Sequence, residues 1–316
     1  MTRSAQQKMP PEPGRLTVNP MTVHIGAEIH GVDLTRALSA DAVRRIREAL
    51  LQWKVIFFRN QHLNHAQHIA FARRFGEPTP AHAVFDMDSD ADYPEIYPVT
   101  KHRAALAARP STVRVWTDWH TDVTAAVNPP CGSILRAVVV PPYGGDTMWA
   151  NLAAAHQGLS PAMQEFLSTL RAVHRFKAAE EDAGETAEAY NAMVKKNPIV
   201  AEHPLVTAHP ETGERVLYTN PEFVKKIIGL TPAESDALLG FLWEHCIRAD
   251  YTVRFKWEEG SIAFWDNRAT QHLAVRDVYQ TDFNREFYRV TLNGSVPVDV
   301  NGNPSTPLSG NPINPA

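Results

Sequence analysis

The chain of 316 residues is 44% hydrophobic and 21% charged, enough to build a large buried core within one elaborated β domain. A net charge of −4 offers no field for nucleic acid, and no stretch approaches the roughly 18 consecutive apolar residues of a membrane span. The two cysteines, Cys131 and Cys246, fit no zinc or redox spacing and read as free thiols in a reducing compartment.

Taken in chain order, residues 1–15 carry no apolar h-region of a secretory signal and read as a disordered tail, so a cytoplasmic protein is expected. Val23 to Leu34 reads as strand and turn. Ser39 opens a helix whose apolar positions Val43, Ile46, Leu50 and Trp53 follow the 3.6-residue period. Lys54 to Arg59 is a buried strand, and Asn64 caps a second helix ending near Phe75-Gly76. Residues 86–115, with mixed charge and several prolines, read as a long loop after a short strand at Glu95 to Val99. A loop of that length placed before His120 suits an active-site lid.

Ser133 to Val140 is a strand whose Arg136 is expected to tip toward solvent or a carboxylate. Ser160-Pro161 starts a helix with serine as cap and proline at the first helical position. Residues 177–197 suggest a helical excursion, and Pro204 to Thr219 a hairpin turning at Pro210-Glu211-Thr212-Gly213. Thr231-Pro232-Ala233-Glu234 is a capping box for a helix to about Cys246. Strands at Thr252 to Trp257, Ser261 to Asp266 and Phe287 to Leu292 complete one domain over 16–296. Residues 297–316, rich in Pro, Gly, Asn and Ser, read as a second disordered tail.

The chemistry centres on His120-Thr121-Asp122, followed far downstream by His272 and Arg285. In an extended segment, side chains at i and i+2 project to one side, so the imidazole and carboxylate can converge. Adding His272 gives two histidines and one carboxylate, the facial triad that leaves open positions on non-heme Fe(II). Arg285 offers a planar fork suited to the far carboxylate of a 2-oxoacid.

Three further segments frame these residues: Trp119-His120-Thr121-Asp122-Val123-Thr124, Gly144-Gly145-Asp146-Thr147, and Trp265-Asp266-Asn267-Arg268-Ala269-Thr270-Gln271-His272. With Ile25-Gly26-Ala27-Glu28-Ile29, Lys54-Val55-Ile56-Phe57-Phe58-Arg59 and Phe75-Gly76-Glu77, they resemble the taurine dioxygenase (TauD/TfdA) family of Fe(II)- and 2-oxoglutarate-dependent enzymes. The likeness runs over roughly residues 16–295. It implies a mainly β fold with flanking helices (α+β), built on a double-stranded β-helix or jelly roll like that of cupins.

The resemblance also implies roles. His120, Asp122 and His272 would bind Fe(II), Thr147 and Arg285 the distal carboxylate of 2-oxoglutarate, and O2 would be the co-reactant. Arg289, His82 and the backbone N–H of Val123 would take the substrate anion. Phe85 and Trp116 stand where taurine-specific members keep tyrosine and asparagine, which argues against taurine itself and for a longer, more apolar substrate. The segments Val296-Pro297-Val298-Asp299-Val300 and Gly145 to Asn151 look closer to alkylsulfatase-type relatives. The expected reaction hydroxylates the carbon beside a sulfate or sulfonate, releasing sulfate or sulfite, an aldehyde, succinate and CO2. A carboxylate substrate such as an aryloxyalkanoate, a zinc hydrolase and a non-enzymatic jelly-roll module stay open. Relatives of this kind are often dimers or tetramers, so a homo-oligomer is expected.

Overall fold

In the computed structural model, residues 16–81, 92–100, 119–176 and 185–313 are described. Local signals fix the helix ends. Helix α1 (Ala40–Trp53) begins where the Ser39 hydroxyl accepts the Ala42 N–H, and it stops at Lys54, whose φ of 65° turns the chain into β3 (Val55–Phe58). Helix α2 (His65–Ala72) starts on a capping box of Asn64 and Gln67. Helices α3 (Leu152–Gln157), α4 (Pro161–Ser168) and α5 (Glu185–Lys196) follow, and α6 (Pro232–Cys246) opens on the Thr231/Glu234 box. The caps at Ser39, Asn64, Ser160 and Thr231 are those expected from the sequence.

The large sheet runs β1 (Thr17–Pro20), β2 (Ala27–His30), β3, β13 (Ile262–Asp266), β5 (Gly132–Val139), β15 (Glu286–Leu292) and β4 (Tyr97–Thr100). Facing it is a small sheet of β12 (Thr252–Phe255), β6 (Thr147–Asn151) and β14 (Thr270–Ala274). Because strand side chains alternate, each inner strand of the large sheet feeds two cores. Ile56, Phe58, Ile134, Phe264 and Val290 pack under α1 and α2. Val55, Phe57, Leu135, Trp265 and Phe287 pack against Trp149, Val253 and Phe255 of the small sheet. Burial on both faces is why Val55-Ile56-Phe57-Phe58 is an unbroken apolar run rather than an alternating one. Two packed sheets with helices on the outer face are the expected α+β jelly roll.

A third sheet, β11 (Val224–Ile227), β7 (Arg171–Arg175), β8 (Val200–Pro204) and β16 (Thr306–Ser309), lies beside this core, with the hairpin β9 (Val206–Ala208) and β10 (Arg215–Leu217). Two expectations fail here. The segment after Val296 is not a loose tail: β16 pairs with β8, and Ser305 and Ile313 are buried. Its polar composition hides this because the ordering comes from side-chain-to-backbone bonds, such as Asp299 accepting from the N–H groups of Asn301 and Asn303. Arg136 does not reach solvent or a carboxylate. It is buried, donates to Leu63 O, meets His65 Nδ1 at 2.8 Å and lies over the Tyr288 ring. Among the described residues no helix is long and apolar enough to cross a membrane.

Candidate metal centre

His120 and His272 form an isolated antiparallel bridge, with His120 N–H donating to His272 O at 3.0 Å and His272 N–H returning to His120 O at 2.7 Å. Directly paired residues share a face. Their rings therefore stand together, centroids 4.1 Å apart. The extended geometry expected of residues 120–122 holds at His120, and the chain then turns at Asp122. Val123 has φ 53°, a left-handed conformation that a β-branched residue adopts at a cost of about 1–3 kcal/mol. That turn swings the Asp122 carboxylate back onto the imidazoles. One donor atom from each of His120, Asp122 and His272 lies within 4.8 Å of the others.

Both oxygens of Asp122 are held. Oδ2 accepts the Ser133 hydroxyl at 2.6 Å and Oδ1 accepts an Arg289 N–H at 2.8 Å. Each keeps a further lone pair for a cation. Burial alone would raise this carboxyl's pKa. The Arg289 guanidinium, the two imidazoles and the Ser133 bond outweigh burial and hold it well below the usual carboxylate range. Burial pushes His272 well below the ordinary histidine value, helped by His120 and opposed by Asp122. An ionised carboxylate beside a neutral imidazole is the protonation state that metal ligation needs.

Behind Asp122 runs a relay that sequence reasoning missed. Ser133 Oγ accepts from Asn267 Nδ2 at 2.8 Å, and Asn267 Oδ1 accepts from Trp265 Nε1 at 2.8 Å. Register explains it, since Ser133 lies opposite Trp265 across β5 and β13. The available signal was a serine near the start of a mostly apolar strand. Trp265 is a buried core residue that also spends its N–H here. Asp266 forms its turn by accepting the Arg268 N–H at 2.9 Å, and it also binds His209 and the Arg268 guanidinium.

Thr147 and Trp149 lie opposite Ala274 and His272 in the β6/β14 register, so both share the inner face with His272. The Thr147 hydroxyl accepts Trp257 Nε1 at 3.0 Å, leaving its own O–H to donate. Arg285 is 7% exposed, stacks on Phe287 at 3.8 Å, and meets no carboxylate among the described residues. Burial lowers its pKa to about 10, with Tyr279 opposing. Gly145, whose φ of 71° favours glycine, lies beside Arg285, where a Cβ would make only ordinary contact with Nε at 3.5 Å. Arg289 lies further along β15, beyond Phe287 on the same face, against the Tyr97 ring. His82, Phe85, Trp116 and most of the expected lid fall outside the described residues.

The fit to a metal and an anionic cosubstrate can be tested on orphaned atoms. His272 Nδ1, Arg285 Nε, Arg289 Nε and Trp149 Nε1 are all buried without a hydrogen-bond partner among the described residues. Unpaired buried polar groups are rare in native folds. A ligand set of two imidazoles and a carboxylate, with two guanidinium groups short of acceptors on one face, fits Fe(II) with an oxodiacid. A separate cavity of about 250 Å³ beside Pro129, Tyr218 and Val296 is lined by none of the three metal-site donors, and its liners His209 and Arg268 are engaged by Asp266.

Residues 17–291 match the family described as "Taurine catabolism dioxygenase TauD, TfdA family". The chain belongs to that family. It is 41% identical to an alpha-ketoglutarate-dependent sulfate ester dioxygenase of Pseudomonas putida, over 92% of this chain and 93% of that protein. An alkylsulfatase of Acinetobacter baylyi is 36% identical over 91% and 88% of the two chains. A crystal structure of a taurine dioxygenase from Burkholderia xenovorans superposes with a TM-score of 0.82 at 51% identity, covering 95% of this chain and 97% of that one. TauD-family enzymes are dioxygenases that use Fe(II), 2-oxoglutarate and O2, so the zinc-hydrolase and non-enzymatic readings fall away.

Proposed function

We propose that this dioxygenase hydroxylates the sulfate-bearing carbon of an alkyl sulfate. The observation that carries the reading is the 2.8 Å contact of Arg289 with Asp122, which fixes a cation at the rim of the metal site. One Arg289 N–H is used by Asp122 while its Nε–H has no acceptor, so the guanidinium still has donors for a tetrahedral anion. The Val123 N–H, unpaired among the described residues, adds a second donor beside it. Relatives named for sulfate esters and alkyl sulfates support that head group over a carboxylate.

In this reading His120, Asp122 and His272 hold Fe(II), which together with 2-oxoglutarate and O2 supplies the oxidising power and yields succinate and CO2. Ser133 keeps one Asp122 oxygen oriented. Arg285 and the Thr147 hydroxyl take the distal carboxylate of 2-oxoglutarate, and the Phe287 ring beneath Arg285 keeps water from competing for it. Arg289 and Val123 N–H place the substrate carbon beside the metal. His82, Phe85 and Trp116 are proposed to line the same substrate pocket. Once that carbon carries a hydroxyl, its bond to the sulfate oxygen breaks, sulfate departs, and an aldehyde remains. A sulfonate would release sulfite by the same collapse.

The reading also places the enzyme in the cytoplasm as a homo-oligomer. Burial pushes the Cys131 and Cys246 thiols up to about 11 and about 12, consistent with unreactive thiols that need no pairing. The test is succinate formation under air with Fe(II) across alkyl sulfates, alkyl sulfonates and aryloxy acids, with sulfate and aldehyde measured in parallel. Preference for an alkyl sulfate with stoichiometric sulfate release is expected. Turnover confined to taurine or to aryloxy acids would overturn it.

A further inference from the structure

The turn that brings Asp122 to the imidazoles is not self-supporting. Val123 sits in a left-handed conformation, and residues 122–128 form turns and bends with no strand partner. Such a segment persists only where its surroundings over-determine it. Those surroundings come from distant parts of the chain.

Thr124 Oγ1 meets His174 Nδ1 at 3.0 Å and accepts from Asn220 Nδ2 at 3.2 Å. His203 Nε2 faces the carbonyl oxygens of Thr124 at 2.8 Å and Ala126 at 3.1 Å. Two acceptors require that nitrogen to carry the proton. His203 is neutral at physiological pH, burial having lowered it to about 4, and its Nδ1 lies 2.7 Å from the Ser305 hydroxyl, which also reaches Pro297 O at 2.9 Å. The Asn128 amide makes a two-way clasp with Ile313, donating Nδ2–H to its carbonyl at 2.8 Å and accepting its N–H at 2.8 Å. The Ile313 side chain is 3% exposed and packs in one cluster with Val123, Ala125 and Ala126.

Ser305 and Ile313 belong to the same C-terminal segment. Between them β16 is fastened to β8, the strand that carries His203. One piece of chain thus reaches the turn twice: once through a histidine that reads its carbonyls, and once directly through an asparagine side chain.

We propose that the C-terminal segment Ser305–Ile313 is a strap that positions the metal-binding turn, with Asn128 and His203 as its positioning residues. Without the strap, Val123 relaxes toward an ordinary backbone conformation. The Asp122 carboxylate then moves off the axis set by His120 and His272. The inference rests on the reading of His120, Asp122 and His272 as metal ligands.

The test uses Mn(II) as a redox-silent probe, with affinity read by electron paramagnetic resonance on the full chain, on Asn128→Ala and on a chain ending at Gly310. Amide hydrogen exchange is followed over residues 121–128. Ile46→Val, in the core under α1, is the control for stability alone. Both strap variants are expected to bind Mn(II) about tenfold or more weakly, in the range seen when residues behind metal ligands are lost. Their 121–128 amides should exchange faster, while Ile46→Val keeps the parent affinity. Affinities within about twofold of the parent, with unchanged exchange in the turn, would overturn the strap. If the shortened chain does not fold, Asn128→Ala decides by the same criteria. Failure of the parent chain to bind Mn(II) would instead strike at the ligand assignment.

Discussion

Two buried aspartates, Asp122 and Asp266, look alike by most measures. Each pairs with an arginine, at 2.8 Å to Arg289 and 2.6 Å to Arg268, and each carboxyl is held well below the usual range although burial acts to raise it. What separates them is saturation. Asp266 accepts two guanidinium N–H groups and a backbone N–H from Arg268 in its own turn, and a bond from the distant His209, which together use up its lone pairs. Asp122 takes one bond per oxygen and faces two imidazoles across a gap. A perturbed carboxylate is therefore a poor marker of function by itself; unused acceptor capacity aimed at other ligands is the better one.

The difference predicts opposite losses. Asp122→Ala should remove metal binding, costing more than the roughly hundredfold that residues behind the ligands cost, and abolish turnover of 2-oxoglutarate. Its thermal midpoint should fall less than that of the Asp266 variant, because Ser133 keeps its bond from Asn267 and the Arg289 side chain is 16% exposed. Full Fe(II)-dependent turnover in this variant would end the ligand assignment. Asp266→Ala should do the reverse. Stripping a buried partner from Arg268 and His209 is expected to cost about 3–5 kcal/mol in a urea melt, while the folded protein keeps parental Mn(II) affinity. A large affinity loss there would show that the two aspartates are not separable.

Arg285, just before β15, and Arg289, within it, sharpen the contrast from the cationic side. Arg285 has no carboxylate of its own among the described residues, whereas Arg289 shares Asp122. Losing a charge-assisted bond costs about 1.5–3 kcal/mol, or roughly ten- to hundredfold. Arg285→Gln should put that loss into the KM for 2-oxoglutarate. Arg289→Ala should put it into the KM for the alkyl sulfate, with a smaller weakening of metal binding because Asp122 loses a partner. Equal effects of both substitutions on both constants would dissolve the division of labour.

Much of this was readable from the chain. His120, Asp122 and His272 stand in motifs whose spacing survives folding, and Ser39, Asn64, Ser160 and Thr231 announce their helices through local chemistry. The relay Trp265–Asn267–Ser133 was not readable, because it depends on the register of β5 against β13, which no local pattern encodes. The C-terminal strap failed for another reason. Composition predicts disorder where apolar burial is scarce, yet Ile313, clasped by Asn128, adds its burial to the Asp299 and Ser305 bonds once β16 has found β8. The left-handed Val123 was invisible too, since a β-branched residue is among the last expected there.

The mildest test asks which groups fail first in acid. Both aspartates have depressed folded pKa values, so their stabilisation is complete above the unfolded carboxyl value near 3.9 and is lost only as pH falls further. The buried histidines respond earlier. His68, fully buried with Nε2 3.2 Å from Ile134 O, is lowered to about 3 by burial and by the nearby Arg136. Its unfolded counterpart titrates near 6.5, so the unfolded chain binds the extra proton first, and stability present above pH 6.5 erodes as pH drops toward 4. Each such histidine contributes a slope of about 1.4 kcal/mol per pH unit. His68→Gln keeps an N–H for Ile134 O and removes one titrating site, so its urea-melt stability between pH 6.5 and 4 should fall less steeply by about that amount. An unchanged slope would remove His68 from the acid response and leave it to the other buried histidines, His174 and His203.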